Sequence, residues 1–422
     1  MILRTRDIIE QIRRGNVPDG YKKTKAGILP ADWDVYMLGD CLSRVERPVE
    51  VKPNELYTQI GIRSHGKGLF YKEPVTGAAL GNKAVFWIEP DCFIVNIVFA
   101  WEQAIGKTTQ SEVGMIGSHR FPMYRPVNDR VDIDCLISYF LTKRGTDILE
   151  AASPGGAGRN KTLGQDRFLK SKITLPPIEE QQKIATILTT QDKVIKLKEK
   201  RLAEKQRQKK YLMQQLLTGK KRLPGFNGAW EKEKLGKCAS MCSGGTPDTK
   251  NEKYYGNDYI WISIKDMTSA GKYTCSSERG LTEAGLLNCS ARLFPKGTIL
   301  FAMYASIGEC SIAETECCSS QAILGIEPDS KLNNEFLYYL LSNSKGYFKS
   351  FGQASSQPNL NKGIVQSIVV QIPEIEEQAA IAEVLSAADR EIELLRQDIE
   401  QEKQKKKALM QLLLTGIVRV KT

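Results

Sequence analysis

The residues best suited to catalysis are few and badly placed for it. Asp248, Glu252 and Lys253 faintly resemble the acids and lysine of a nuclease. That chemistry needs an acid and a lysine on alternate residues of one strand face, whereas Pro, Gly and Asn around this stretch indicate a loop. The two histidines, His65 and His119, lie in separate segments, which argues against a histidine-based nucleophile or metal site. The sequence therefore predicts no catalytic residue and no metal.

Motifs for methyl transfer are also missing from the sequence. No Asn- or Asp-Pro-Pro-aromatic run occurs, which would hold an adenine for methylation. No Gly-rich loop follows a strand to seat S-adenosylmethionine. We therefore expect no cofactor, and we expect the chain not to be an enzyme.

Composition sets the class of protein. The chain has 422 residues, which allows two or three domains. It contains no run of eighteen apolar residues, so a membrane span is not expected. The amphipathic start MILRTRDIIEQIRRG differs from a signal peptide. The ten cysteines lie mostly in apolar stretches without paired two-residue spacing. These features predict a reduced, cytoplasmic protein without a structural zinc.

The positive charge is concentrated in two segments. The chain carries 60 Lys and Arg against 49 Asp and Glu. Residues 1–26 hold 7 basic and 3 acidic residues, and residues 176–222 hold 13 and 5. The long stretches 27–175 and 223–371 are close to neutral, with 18 against 17 and 14 against 14. A uniformly basic DNA-coating protein is excluded, and any contact of the long stretches with DNA must come from a local face.

The chain is a tandem duplication. LPPIEEQQKIATIL at 175–188 returns as IPEIEEQAAIAEVL at 372–385, and YLMQQLLTG at 211–219 returns as ALMQLLLTG at 408–416. The offset is 197 residues in both cases, and 176–219 contains 20 identities in 44 ungapped positions. The same offset relates Trp33, Leu38, Gly39 and Cys41 to Trp230, Leu235, Gly236 and Cys238. The order of elements is therefore block, helix, block, helix.

Each repeat reads as one long helix of about 40 residues, roughly 60 Å in length. Neither Pro nor Gly occurs from Ile178 to Thr218, and a Thr-Gly pair closes both copies. Apolar residues recur with alternating four- and three-residue spacing, which predicts a seam between paired helices. The seam residues are Ile184, Leu188, Ile195, Leu202, Leu212, Leu216, Ile381, Leu385, Ile392, Leu395, Ile399, Leu409 and Leu413.

Chain order favours an antiparallel helix pair. The second block leaves the end of the first helix and enters the start of the second, and these points are close together only if the helices run in opposite directions. The predicted fold is α+β, with two mixed α/β globular domains separated by two long antiparallel coiled-coil helices in a pseudo-two-fold tandem repeat. The expected divisions are an N-terminal segment 1–26, a first recognition domain 27–175, a central helix 176–222, a second recognition domain 223–371, and a C-terminal helix with its tail, 372–422.

The repeated segments closely resemble the specificity subunit of type I restriction-modification systems. The resemblance is carried by the doubled Pro-x-x-x-Glu-Gln helix start, the LLTG ends, and the segments GYKKTKAGILPADWDVYMLGD at 20–40 and SGGTPDTKNEKYYGNDYIWISIKDM at 243–267. It implies two target-recognition domains that each read half of a bipartite site in double-stranded DNA. It also implies helices that set the spacer and hold two methyltransferase (M) subunits, to which restriction (R) subunits can add, and a subunit without catalysis of its own.

Candidate DNA contacts follow from the side chains that best read base edges and hold phosphates, placed in loops at matching positions of the two blocks. In the first block they are Arg63, His65, Lys67, Lys107, Thr108, Thr109, Arg159, Asn160 and Lys161. In the second block they are Lys265, Asp266, Tyr304, Ser306, Ser355, Ser356, Gln357 and Asn359. For any single residue a solvated turn is the favoured alternative, so each loop is a stronger prediction than its individual members.

The basic first helix allows several interpretations. Its cations could form a solvated face, contact spacer phosphates, or dock acidic methyltransferase helices, and we favour pairing across the two helices together with partner contact. Two other function classes stay open. A coiled-coil adaptor for protein or sugar would bind without salt dependence and leave no DNA footprint, and a DNA-processing enzyme would turn over without added subunits.

Overall fold

The chain folds into two compact units in a computed structural model. The structure describes residues 2–24, with side chains from Arg6 onward, and residues 27–81, 83–155, 161–348 and 360–420. Unit 1 comprises residues 1–199 and 398–422, and unit 2 comprises residues 200–397. Each unit therefore holds one globular domain together with parts of both long helices.

The two long helices have 39 residues each. The first runs Ile178–Leu216 and the second Ile375–Leu413. A proline lies one residue before the first helix, at Pro177, and two residues before the second, at Pro373, and a proline cannot donate to a preceding hydrogen-bond ladder. Each helix carries two glutamates in its first turn, where the helix dipole favours negative charge. Each is followed by a glycine with positive φ, 66° at Gly219 and 72° at Gly416. These are the helix ends that the sequence predicts.

Within each unit the helices run antiparallel. In unit 1, Asp192 pairs with Lys406 and Glu199 with Lys403, so the numbering rises on one helix as it falls on the other. In unit 2, Lys205 pairs with Glu391 and Lys209 with Asp389 in the same sense. The predicted antiparallel pairing is confirmed.

Apolar residues of the predicted seam lie inside each unit. In unit 1, Ile184 and Leu188 share a buried cluster with Leu413. In unit 2, Leu216 shares one with Leu385. The fully buried seam residues are Ile184, Leu188, Ile195, Leu216, Ile381, Leu385, Ile392, Ile399 and Leu413, and the half-buried ones are Leu202, Leu212, Leu395 and Leu409.

The globular domain of unit 1 is built on small antiparallel sheets over an aromatic core that includes Phe93, Tyr124, Phe140 and Phe168. Its largest sheet has the strand order Ile105–Lys107, Phe93–Val95, Met123–Pro126, Leu42–Val45. The two-stranded sheets pair Tyr21–Thr24 with Gly27–Pro30, Asp34–Met37 with Lys172–Leu175, Leu56–Tyr57 with Val75–Thr76, Ile60–Ile62 with Leu69–Tyr71, and Val85–Trp87 with Ile116–Ser118. The shorter helices of unit 1 are Ile2–Arg13, Leu38–Cys41, Gly77–Leu80, Ile133–Phe140, Lys143–Ala151 and Gln165–Lys170, with 3-10 turns at Ala100–Glu102 and Gln110–Glu112.

The globular domain of unit 2 has larger, mixed sheets. One has the strand order Ala239–Ser243, Ile323–Pro328, Ile299–Ala302, Cys310–Ala313, Tyr273–Thr274, and another the order Tyr255–Gly256, Gly280–Leu281, Tyr259–Ile262, Cys318–Ser319. A two-stranded sheet pairs Glu231–Lys234 with Val369–Ile372. The shorter helices include Leu235–Cys238, Ile264–Ala270, Glu283–Leu287, Asn334–Asn343 and Lys362–Ser367, with a 3-10 turn at Glu252–Tyr254.

A two-stranded ribbon closes both domains in the same way. Asp34–Met37 pairs with Lys172–Leu175 in unit 1, and Glu231–Lys234 pairs with Val369–Ile372 in unit 2. Corresponding strands are 197 residues apart, although the sheets between them differ. The ribbon pairs a strand near the start of each domain with the domain's last strand, directly before a long helix. The repeated ribbons and helices therefore enclose two domains whose other sheets differ.

Candidate nucleic-acid interface

A buried glutamine joins the first globular domain to its long helix. The Gln181 side chain donates to the carbonyl oxygens of Pro176, at 2.8 Å, and Arg130, at 2.9 Å. It also accepts a hydrogen bond from the backbone N–H of Asp132 at 2.9 Å. Asp132 caps the helix Ile133–Phe140, so one side chain fixes a domain helix against the start of the long helix.

Unit 2 repeats this junction with the corresponding glutamine. Gln378 donates to the carbonyls of Pro373, at 2.8 Å, and Lys331, at 2.9 Å, and accepts from the N–H of Asn333 at 2.8 Å. Asn333 caps the helix Asn334–Asn343. The Glu-Gln pair that marks each helix start therefore attaches both domains to the helices by the same three hydrogen bonds.

The glutamate beside each glutamine is buried and paired with an arginine from the far end of the other long helix. In unit 1, Arg419 contacts Glu180 at 2.8 Å and Asp32 at 2.6 Å. In unit 2, Arg222 contacts Glu377 with two nitrogens, at 2.6 and 2.7 Å. Hydrogen bonding to Glu180 raises the pKa of Arg419. Each ion pair holds the end of one helix against the start of the other, because the charge of a buried carboxylate requires a partner.

Several basic side chains of the first long helix make polar contacts with the second long helix. In unit 1, Gln191 and Lys198 both hydrogen-bond Glu402, and these bonds, that of Lys198 first, lower the pKa of the Glu402 carboxyl to about 2. In unit 2, Lys205 and Lys209 pair with acids of the second helix. Cross-helix pairing, which the sequence favoured, is therefore present in both units.

The predicted contacts Arg63, His65 and Lys67 lie on the hairpin between strands Ile60–Ile62 and Leu69–Tyr71, and all three are exposed. The Arg63 guanidinium donates to the carbonyl of Leu69 at 2.8 Å and lies 4.9 Å from the ring centroid of Phe70. His65 has φ of 60°, a left-handed turn geometry. The hairpin therefore presents a histidine and a lysine to solvent from a constrained turn.

The predicted GKTTQ contacts of the first block need correction. Thr108 has no exposed surface, and its hydroxyl donates to the carbonyl of Glu89 at 2.6 Å. Thr109 caps the turn Gln110–Glu112 and bonds the Glu112 carboxylate. Lys107 pairs with Asp134 at 2.8 Å. Burial removes Thr108 from any DNA-facing set, and capping gives Thr109 a local structural role. Thr108 is therefore wrong as a DNA contact, whereas Thr109 is exposed and stays a prediction.

The later loop of the first block is only partly described. Arg159 and Asn160 lie outside the described residues. Lys161 pairs with Glu150 at 2.7 Å and lies 5.3 Å from the Trp101 ring centroid. Its ammonium is held on the domain surface and stays a candidate contact.

The candidates of the second block are mixed. Lys265 is exposed and pairs with Glu278 at 2.5 Å, whereas the Asp266 carboxylate accepts hydrogen bonds from Ser263, the N-cap of the helix Ile264–Ala270. Because its carboxylate also accepts from a backbone N–H at residue 278, Asp266 has a structural role that sequence reasoning missed. Tyr304 and Ser306 are half-buried at the turn after Ile299–Ala302. Ser355, Ser356, Gln357 and Asn359 lie outside the described residues.

A buried lysine links the second domain to the helices of unit 2. The Lys272 ammonium contacts Tyr339 at 2.9 Å, Ser386 at 2.8 Å and the Glu335 carboxylate. Burial lowers the pKa of Lys272, and the hydrogen bond to Glu335 opposes that shift. Tyr339 in turn donates to Asp389 at 2.6 Å. No sequence signal pointed to Lys272, because its partners lie 63 to 114 residues away in the chain.

Each unit contains a cavity between its domain and its helices. That of unit 1, about 790 Å³, is lined by the hairpin residues His65 and Lys67 and by Lys403, Lys406 and Lys407 of the second helix. That of unit 2 measures about 850 Å³. The three helix lysines were not among the residues predicted from the sequence to contact DNA. The match of Lys406 to Lys209 at the repeat offset was the available signal.

Among the described residues, no group of His, Cys, Asp and Glu could hold a metal ion. Over the same part of the chain, no helix has the length and apolarity to cross a membrane.

The fold is that of a two-domain protein on a duplicated frame of long helices. A family model for the type I restriction modification DNA specificity domain matches residues 83–206 and 227–404. The chain belongs to this family, and its role is DNA sequence specificity, as the sequence resemblance predicted.

Relatives share both sequence and fold with this chain. The MjaVIII specificity subunit of a type I restriction enzyme from Methanocaldococcus jannaschii is 26% identical over 96% of this chain and 97% of its own length. The MjaIX specificity subunit from the same organism is 35% identical over 39% of each protein. The HsdS subunit from Thermoanaerobacter tengcongensis has 18% identity and a TM-score of 0.52, covering 92% of this chain and 98% of that one. A chain from a structure of the type I R-M system, described for its complex assembly and conformational transition, has 20% identity and a TM-score of 0.61 over 92% and 99%. The predicted fold class is confirmed.

Proposed function

We propose that the chain is the non-catalytic DNA-recognition subunit of a type I restriction-modification complex, in which each globular domain reads one half of a bipartite site. The repeated junction carries this proposal. The same ribbon and the same three glutamine hydrogen bonds attach two domains whose sheets differ. A shared attachment to the long helices, combined with different domain interiors, suits two domains that both bind DNA but read different base sequences.

The long helices are proposed to set the spacer between the half-sites and to dock two methyltransferase subunits, with restriction subunits joining through the complex. Their 39 residues correspond to about 58 Å of helix, and cross-helix ion pairs in both units favour one register. The subunits themselves are inferred from the family and from a relative whose structure concerns complex assembly.

Exchange of one recognition domain tests the proposal. Residues 27–175 are replaced by the matching domain of a relative, and methylated adenines are mapped in DNA from cells with the natural chain, the hybrid, or neither. We expect one half-site to change and the other to persist, because each ribbon and glutamine junction serves only its own domain. Alteration of both halves, or methylation that does not depend on the chain, would contradict the proposal.

Two other function classes predict different results. An adaptor for protein or sugar would leave the methylation map unchanged in cells that lack the chain. A DNA-processing enzyme would modify or cleave DNA as the purified chain, without added subunits. Neither class explains why two dissimilar domains share one duplicated attachment to the helices as directly as a protein that recognises a bipartite DNA site does.

A further inference from the structure

The unit 1 cavity is strongly cationic. Six lysine or arginine side chains and one carboxylate line it. The charged lining residues are Lys67, Lys143, Arg144, Lys403, Lys406, Lys407 and Asp192. The lining also includes apolar residues, of which Ile195 and Leu414 are buried. The excess of cations in the cavity lining favours an anionic ligand.

Two of these lysines are available to a ligand. Lys406 pairs with Asp192 at 2.6 Å and Lys403 with Glu199 at 2.8 Å, so part of their charge stabilises the helix pair. Lys67 and Lys407 make no hydrogen bond or ion pair to the residues that the structure describes, and Lys67 is exposed. One comes from the hairpin and one from the second long helix, so they approach the cavity from both of its walls.

The duplication places a second cavity at the corresponding position of unit 2. Four lining positions match at the repeat offset: Asp192 with Asp389, Ile195 with Ile392, Lys403 with Gln206, and Lys406 with Lys209. The unit 2 cavity has four cations and two carboxylates, so its excess charge is smaller. A feature kept in both units, while the domain interiors diverge, suits a contact that does not depend on base sequence. In protein–DNA interfaces that contact is the phosphate backbone.

We propose that the unit 1 cavity binds backbone phosphates of DNA, with Lys67 and Lys407 as the contacting cations, and so holds the duplex against the hairpin that carries Arg63 and His65. The inference rests on the proposed function and adds the second long helix to the DNA-binding surface. Lysine suits this role because its compact charge attracts phosphate without selecting a base.

The test uses the chain assembled with its methyltransferase subunits. Lys67 and Lys407 are both changed to Gln, and the control changes Lys193 and Lys196 to Gln, two exposed lysines of the first long helix in unit 1 that lie outside the cavity lining. Affinity is measured by fluorescence anisotropy over a salt series, for a duplex with the mapped site and for an unrelated duplex of equal length.

We expect the cavity variant to weaken binding of both duplexes alike. Each lost phosphate contact reduces the magnitude of the slope of log affinity against log salt by about 0.9. At 0.15 M salt this corresponds to a loss of about fivefold in affinity. The double change should therefore lower the affinity for DNA about 30-fold and reduce the magnitude of the salt slope by about 1.8. The control should stay within about twofold of the natural complex, since charges that lie farther from a phosphate than the screening length of about 8 Å add little to affinity at this ionic strength.

Other outcomes overturn the inference and identify what failed. Unchanged affinity and slope in the cavity variant, with discrimination intact, would remove the cavity from the interface and leave the proposed function standing. A loss confined to the mapped duplex would make these lysines base readers instead. Methyltransferase subunits missing from the purified cavity variant alone would assign the cavity to a protein partner. A natural complex that does not distinguish the two duplexes would refute the proposed function itself.

Discussion

The glutamine junction gives a sharp test of how the first recognition domain is attached. The change is Gln181→Met, which keeps the length and helix propensity of the side chain and removes every hydrogen bond. Gln181 is 1% exposed and serves two carbonyl oxygens and one N–H group. The matched control is Gln182→Met, at the adjacent exposed position of the same helix.

The expected cost follows from the groups left without partners. A buried backbone group that loses its partner costs about 1–3 kcal/mol. Three groups would give at most about 9 kcal/mol, but those of Arg130 and Asp132 are only part-buried and can bind water. We expect the free energy of unfolding of unit 1 to fall by about 3–5 kcal/mol. For a body of 150–250 residues this corresponds to a fall in Tm of about 6–20 °C.

Calorimetry and hydrogen exchange measure the two parts of this prediction. Calorimetry gives the change in Tm. Exchange should show lost protection in residues 130–140 and 176–184 and unchanged protection at the corresponding junction of unit 2, residues 331–341, because Gln378 is intact. If Gln181→Met matched the Gln182→Met control in Tm and in exchange, the three hydrogen bonds would not be what joins the domain to the helix.

Three further predictions concern DNA affinity, spacing and pH. The isolated chain should bind DNA weakly, because its recognition domains are near neutral and phosphate neutralisation supplies most sequence-independent affinity. A sequence-specific footprint of the chain alone at nanomolar concentration and physiological salt would contradict this prediction. Seven residues inserted after Leu202 and seven after Ile399 keep the heptad phase and lengthen the helix pair by about 10 Å. The spacer in the methylated sequence should then grow by roughly three base pairs. An active complex with an unchanged spacer would show that the helices do not set the spacer length. The Glu402 carboxyl, with its pKa lowered to about 2 from 4.5, stabilises the fold above pH 4.5 and loses that contribution as pH falls toward 2. Stability measured over that range should therefore decline less in Glu402→Gln than in the natural chain, and equal slopes would count against the Lys198 and Gln191 contacts.

Local sequence determined the long helices. Apolar spacing, the proline before each start and the Thr-Gly close specify where a helix begins and ends, and these signals lie within about 40 residues. The duplication specified the number of domains, and chain order specified the antiparallel pairing. Each of these follows from short-range patterns or from connectivity, which a single sequence displays directly.

The tertiary structure alone decided which polar side chains face solvent. Thr108 and Lys67 looked equivalent in sequence, as polar residues of glycine-containing turns, yet Thr108 is buried against Glu89 and Lys67 is exposed. Lys407 approaches the cavity beside Lys67 although 340 residues separate them. Burial and charge clustering arise from contacts between distant segments, and a local pattern does not encode which segments meet. For this protein the sequence therefore specified the frame, and packing of the domain against the helices specified which charged side chains line the unit 1 cavity.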